Sequence, residues 1–141
     1  MMFKRFLIIA VAALALAGCK GHREEPSKAI DVTGEWELTS ITTRGASIGG
    51  TPIAVYINFT AEKTFELYQM IGEGRYTYFK GTYQLSGESL SGTYESGKPW
   101  GSVYTVAIEG DQMTLTTNGG SETDTYRKTT IPQAVKDNIY Y

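Results

Sequence analysis

Residues 53–59 read Ile53-Ala54-Val55-Tyr56-Ile57-Asn58-Phe59. Ile53, Val55, Ile57 and Phe59 alternate with three other side chains, a period of two that puts one apolar face on a half-buried strand. The same period recurs on both sides of this stretch. Residues 34–43 carry Trp36 and Leu38, and 64–71 carry Phe65, Leu67 and Ile71. Residues 76–85 carry Phe79, Gly81, Tyr83 and Leu85, and 90–95 carry Leu90, Gly92 and Tyr94. Residues 102–109 carry Tyr104, Val106 and Ile108; 112–117 carry Met113 and Leu115; 123–128 centre on Tyr126. Thr and Tyr are abundant, as suits a pleated, half-buried surface.

Short connections separate these stretches. Ala61-Glu62-Lys63, Ser86-Gly87-Glu88-Ser89, Gly110-Asp111 and Asn118-Gly119-Gly120 are of hairpin type. None is long enough to hold a crossover helix, so the strands form an antiparallel meander. The fold class expected is all-β: an eight-stranded antiparallel up-and-down barrel, closed so that no edge is left exposed. Residues 130–139 follow the last strand. Pro132 suits the first turn of a helix, and Ile131, Val135 and Ile139 form one apolar stripe. A short C-terminal helix packed on the barrel wall is expected.

The order of local motifs carries a family resemblance. Gly34-Glu35-Trp36 on the first strand resembles the Gly-x-Trp signature of lipocalins, and Arg127 on the last strand is similar to the arginine that stacks across that Trp. With Thr64-Phe65, Gly81-Thr82-Tyr83, Leu90-Ser91-Gly92, Leu115-Thr116 and Tyr126-Arg127, the pattern over residues 33–132 resembles the lipocalin-like domain of small bacterial lipoproteins. The resemblance implies an eight-stranded barrel with a ligand at one mouth, and it leaves the ligand open. It also implies that Trp36 and Arg127 form a cation–π plug at the closed end, a structural role. Residues 33–128 number only 96, so the strands are short. Phe59, Phe65, Tyr83, Tyr94 and Tyr104 pointing inward would occupy much of so small an interior, leaving a shallow site.

The N-terminus reads as an export signal. Lys4 and Arg5 precede an uncharged apolar stretch, residues 6–16, and the small residues Ala17 and Gly18 end at Cys19. The stretch is shorter than the roughly 20 residues of a membrane-spanning helix. Leu16-Ala17-Gly18-Cys19 resembles the lipobox of bacterial lipoproteins, which implies cleavage before Cys19 and lipidation of its thiol. Residues 1–18 are then the signal peptide, 19–32 a lipidated flexible tether, and 33–141 the barrel with its helix. Lys20 in place of Asp after the lipidated Cys implies delivery to the outer membrane, at its periplasmic face or at the cell surface. Cleavage removes Lys4 and Arg5, leaving 11 basic and 15 acidic residues and a net charge of −4. That balance argues against nucleic acid, which wants a basic face. With one Cys in the chain, no intramolecular disulfide is possible.

Catalysis finds little support. His22 and Cys19 are the chain's single His and single Cys, and both precede the barrel. A Ser-His-Asp triad, a Cys nucleophile and a His- or Cys-based metal site are thereby excluded from the domain. Glu35 and Glu37 share a strand face, but their alternation with Trp36 and Leu38 is that of an outer wall. Gly45 to Gly50 is glycine-rich without the Lys-Ser/Thr ending of a phosphate loop. No cofactor and no metal is implied.

The longer loops, 44–52, 72–75, 96–100 and 118–122, alternate with the short turns and so gather at one mouth. They bring Arg44, Arg75, Lys98 and Trp100 to that rim. Trp100 is either a plug folded back after Pro99 or a stacking platform for an anionic or sugar-like ligand. The expected function is a non-catalytic, membrane-anchored lipoprotein binding a small molecule or glycan fragment there. The alternative is a protein-interaction module of the cell envelope, an inhibitor or accessory subunit.

Overall fold

The computed structural model describes residues 28–42 and 47–140. The signal segment, Cys19, most of the tether and Arg44 lie outside the described residues. Among the described residues, ten strands and one helical turn follow in chain order: β1 Gly34–Ile41, β2 Ser47–Ile48, β3 Thr51–Phe59, β4 Thr64–Ile71, β5 Tyr76–Ser86, β6 Ser89–Tyr94, β7 Tyr104–Glu109, β8 Gln112–Thr117, β9 Thr123–Thr129, α1 Gln133–Lys136 and β10 Ile139–Tyr140. From β3 to β9 each strand pairs antiparallel with the next. β1 then pairs with both β9 and β3, closing an eight-stranded up-and-down barrel. The eight expected strands are all present, and β2 and β10 are two-residue additions.

Hairpin chemistry sets the register. β5–β6 and β7–β8 close through two-residue loops, with Ser86 opposite Ser89 and Glu109 opposite Gln112. Each loop begins on a glycine at φ near +60°, Gly87 at 59° and Gly110 at 58°, as such hairpins demand. With the turns fixed, strand parity decides what is buried. Every inward residue of β3, from Ile53 to Phe59, lies in the core with Trp36, Phe65, Tyr83, Leu90, Val106 and Met113. Phe59, Phe65, Tyr83, Tyr94 and Tyr104 all face or pack on this core. It holds no buried charged side chain among the described residues.

The outer wall of β3–β5 carries a second apolar cluster. Tyr68 and Tyr76 are buried there under Ile131 and Val135, with Tyr56, Tyr78 and Ile139 around them. The expected stripe therefore does pack on the wall, but the helix is a single turn. Asn138 diverts it. Its carbonyl accepts from the Tyr76 N–H at 2.9 Å, and its side-chain amide donates to the Gly74 carbonyl at 3.0 Å. Ile139 and Tyr140 then pair parallel with Tyr76 and Thr77, on a stretch of β5 that β6 does not reach. Backbone groups on that edge gain partners that a longer helix would have left unmet.

Candidate functional site

The two ends of the barrel differ. At the end bearing the short turns, Trp36 is 1% exposed, and its Nε1 donates to the Val32 carbonyl at 2.8 Å. Val32 is equally buried, so the chain entering β1 helps seal this base. The cation on the Trp36 ring is Lys128, whose Nζ lies 5.2 Å from the ring centroid. Arg127 is not the plug. Tyr126 points inward, so its neighbour Arg127 must point out, where it donates to Glu37 Oε2 at 2.9 Å with its side chain 64% exposed. An ion pair that exposed contributes little. Arg127→Ala should shift unfolding free energy by less than about 0.5 kcal/mol in a denaturant titration.

The outer-wall carboxylates have structural partners. Glu35 accepts from Lys136 Nζ at 3.1 Å and from the Ile131 N–H at 3.2 Å, which ties down the C-terminal segment. Glu66 accepts from Tyr78 at 2.8 Å and from Asn58 at 3.3 Å. The alternation around Trp36 thus reads as an outer wall, and these groups are held by the fold. No group of three or more metal-ligating side chains occurs among the described residues.

The other end is less regular. β6 and β7 pair over only two residues, Ser89 with Thr105 and Leu90 with Tyr104. Past that point the chain folds back along β6: Pro99 bridges Thr93, and the Trp100 N–H donates to the Gly92 carbonyl at 2.8 Å. Gly92 faces inward without a side chain, and the Trp100 indole takes that space. It packs edge-on against Phe65 at 5.0 Å between centroids and against Tyr104 at 6.2 Å. Trp100 therefore fills the middle of the barrel and is the floor of whatever lies above it. Arg75 instead lies 5.5 Å from the Tyr140 ring, and Lys98 sits in the exposed 95–99 hairpin, its carbonyl bonded to the Tyr94 N–H. The structure does not gather these two cations around Trp100.

Above that floor the cover is uneven: Ile53 is buried, but its partner Ile71 is not. Ile71 is 60% and Phe79 37% exposed, although both share the inward face of their strands. Phe79 packs at a tilt against Tyr94, and the two help line a side groove of about 530 Å³ with Tyr78, Lys80, Glu95 and Ser96. Two buried polar atoms here have no hydrogen-bond partner, Trp100 Nε1 and Asp124 Oδ1. Asp124 lies opposite the inward Leu115 and carries the same parity as Tyr126. Burial, with Glu122 nearby, pushes its carboxyl up to about 6.

That shift has a sign. A carboxyl whose folded pKa exceeds its unfolded value near 3.9 is destabilising when ionised. Stability should therefore rise as pH falls through 6 and level off below about 4. Asp124→Asn should remove that slope. It should add about 1–2 kcal/mol at pH 7, a figure reduced because the group is only half-buried, and nothing at pH 4. Thermal melts of both proteins at the two pH values check this. Sequence reasoning passed over Asp124 although its parity with Tyr126 was available.

The geometry of the described residues is that of a barrel sealed at one end by Trp36 and Val32, with Trp100 filling its middle and Ile71 and Phe79 exposed toward the other end. The sequence model of the lipocalin-like domain matches residues 32–115. The chain belongs to the lipocalin-like domain family. The match runs from the base-sealing Val32 into β8. A lipocalin-like fold is typically a binding rather than a catalytic one. A crystal structure of an uncharacterized protein from Bacteroides eggerthii is similar to this lipocalin-like chain at 18% identity and a TM-score of 0.49, over 70% of this chain and 100% of that one. No curated protein matches it.

Proposed function

We propose that this lipocalin-like domain is a non-catalytic binding module, held at the outer membrane by a lipid on Cys19, that takes a small molecule or glycan fragment at its loop-rich mouth. One observation carries the choice of end: Ile71 and Phe79, two large apolar side chains on the inward faces of their strands, stand exposed toward the mouth. Exposed apolar surface in a concavity marks binding sites. Trp100 supports a shallow site, because the ring occupies the depth that a deeply buried ligand would need. A second reading has its own support. Val103 is 38% exposed near the same rim, and such a rim also suits an envelope protein.

The chain has two Trp residues, Trp36 in the sealed base and Trp100 in the middle of the barrel, so two indole N–H signals separate the base from the side toward the mouth. In titrations with amphiphilic small molecules and glycan fragments, the Trp100 signal should move and the Trp36 signal should stay. Shifts confined to Trp36 and the turns 61–63, 86–89 and 110–111 would put the site at the wrong end. The anchor has a separate check. Wild-type protein should fractionate with membranes, and Cys19→Ala should be released or left uncleaved. Soluble wild-type protein with a free thiol would overturn the anchor.

A further inference from the structure

The inward-facing charge described at the mouth is acidic, the opposite of what the rim cations led the sequence to suggest. Asp124 sits on β9 with one carboxylate oxygen buried and unpartnered. None of the described ion pairs involves it. Among the described residues, the groups coupled to it electrostatically are Glu122, Tyr104 and Tyr126, none of which brings a positive charge. Tyr104 in turn touches the Trp100 ring, so three aromatic rings and one carboxylate line the same part of the interior. The second orphaned atom, Trp100 Nε1, is a donor. Buried polar atoms without partners are rare in folded proteins, and two in one region call for an occupant.

We propose that the mouth takes a small organic cation, an ammonium on an aromatic or sugar-like body, with Asp124 as its counter-charge. Resting on the mouth reading above, this names the ligand's chemistry. An ammonium N–H would satisfy Asp124 Oδ1 by a charge-assisted hydrogen bond. An acceptor elsewhere on the molecule, a hydroxyl or carbonyl oxygen, would take the Trp100 N–H. The apolar body would lie toward Phe79 and Ile71, the exposed part of the wall. An anion would meet Asp124 and Glu122 and be repelled.

The test uses the full chain in detergent and three matched probes: benzylammonium, benzyl alcohol and benzoate. Calorimetry should show benzylammonium binding at least tenfold more tightly than either of the others, with the Trp100 indole signal moving. Asp124→Asn, with its fold verified by circular dichroism, should lose at least tenfold in affinity for benzylammonium. As a check independent of any variant, affinity of the wild-type protein for benzylammonium should fall as pH drops from 7 to 5. If benzyl alcohol or benzoate binds as well and moves the Trp100 signal, the cation proposal fails and the mouth reading stands. If benzylammonium moves only Trp36, both fail. If no probe binds and the orphaned atoms hold ordered water alone, the proposal is overturned.

Discussion

Trp36→Ala should cost the domain about 3–5 kcal/mol, the range for deleting a fully buried aromatic. Trp36 is 1% exposed and packs with Val32, Leu38, Phe59 and their neighbours in the base. The substitution leaves a void that surrounding strands, pinned on both sides by β3 and β9, cannot collapse to fill. It also strips the Val32 carbonyl of the indole N–H that satisfies it. Domains of this size are stable by only about 5–15 kcal/mol, so most of the margin is at stake. The melting temperature should drop by more than about 10 °C. An unchanged melt would mean that Trp36 does not seal the base.

Gly92→Ala should cost the domain about 2–3 kcal/mol. A methyl group there would fall onto the Trp100 ring, within 2.6 Å of Cδ2, and the ring is held by its own backbone bond to Gly92. The conflict is specific, so it predicts its own cure. In a Trp100→Ala background the added methyl meets empty space, and Gly92→Ala should then cost far less. The double variant should be more stable than the two single effects sum to, the signature of direct contact. Strict additivity would place the indole elsewhere.

The two changes also mark what was legible in the sequence. Trp36 and the eight strands follow from period-two alternation between glycine turns, a signal repeated often enough to survive local noise. Arg127 went wrong because the family resemblance was followed there and strand parity was not: an inward Tyr126 already required Arg127 outward and Lys128 inward. Asp124 could have been found the same way. Trp100 is a different case. It lies in the irregular stretch between β6 and β7, where no period applies, and only the missing side chain at Gly92 makes room for it. β10 escaped because two residues cannot show a period, and its pairing is set by Asn138 and a vacant edge of β5. The lipid site at Cys19 remains a sequence reading, since it lies outside the described residues.

β1 enters the barrel through Val32 and is laced on both flanks, to Phe59 through Tyr56 on one side and to Thr129 through Asp124 on the other. Tension between the N-terminal segment and a load held at the mouth would run along the axis of this strand. Its hydrogen bonds on both sides would then be strained together, in shear, rather than unzipped one at a time. β10, at the opposite end and with only two paired residues, would peel first if pulled. Forced unfolding is governed by the rate of opening. The domain should therefore be mechanically strong when drawn from its N-terminal side and weak when drawn from its C-terminus, a difference that single-molecule pulling would read directly.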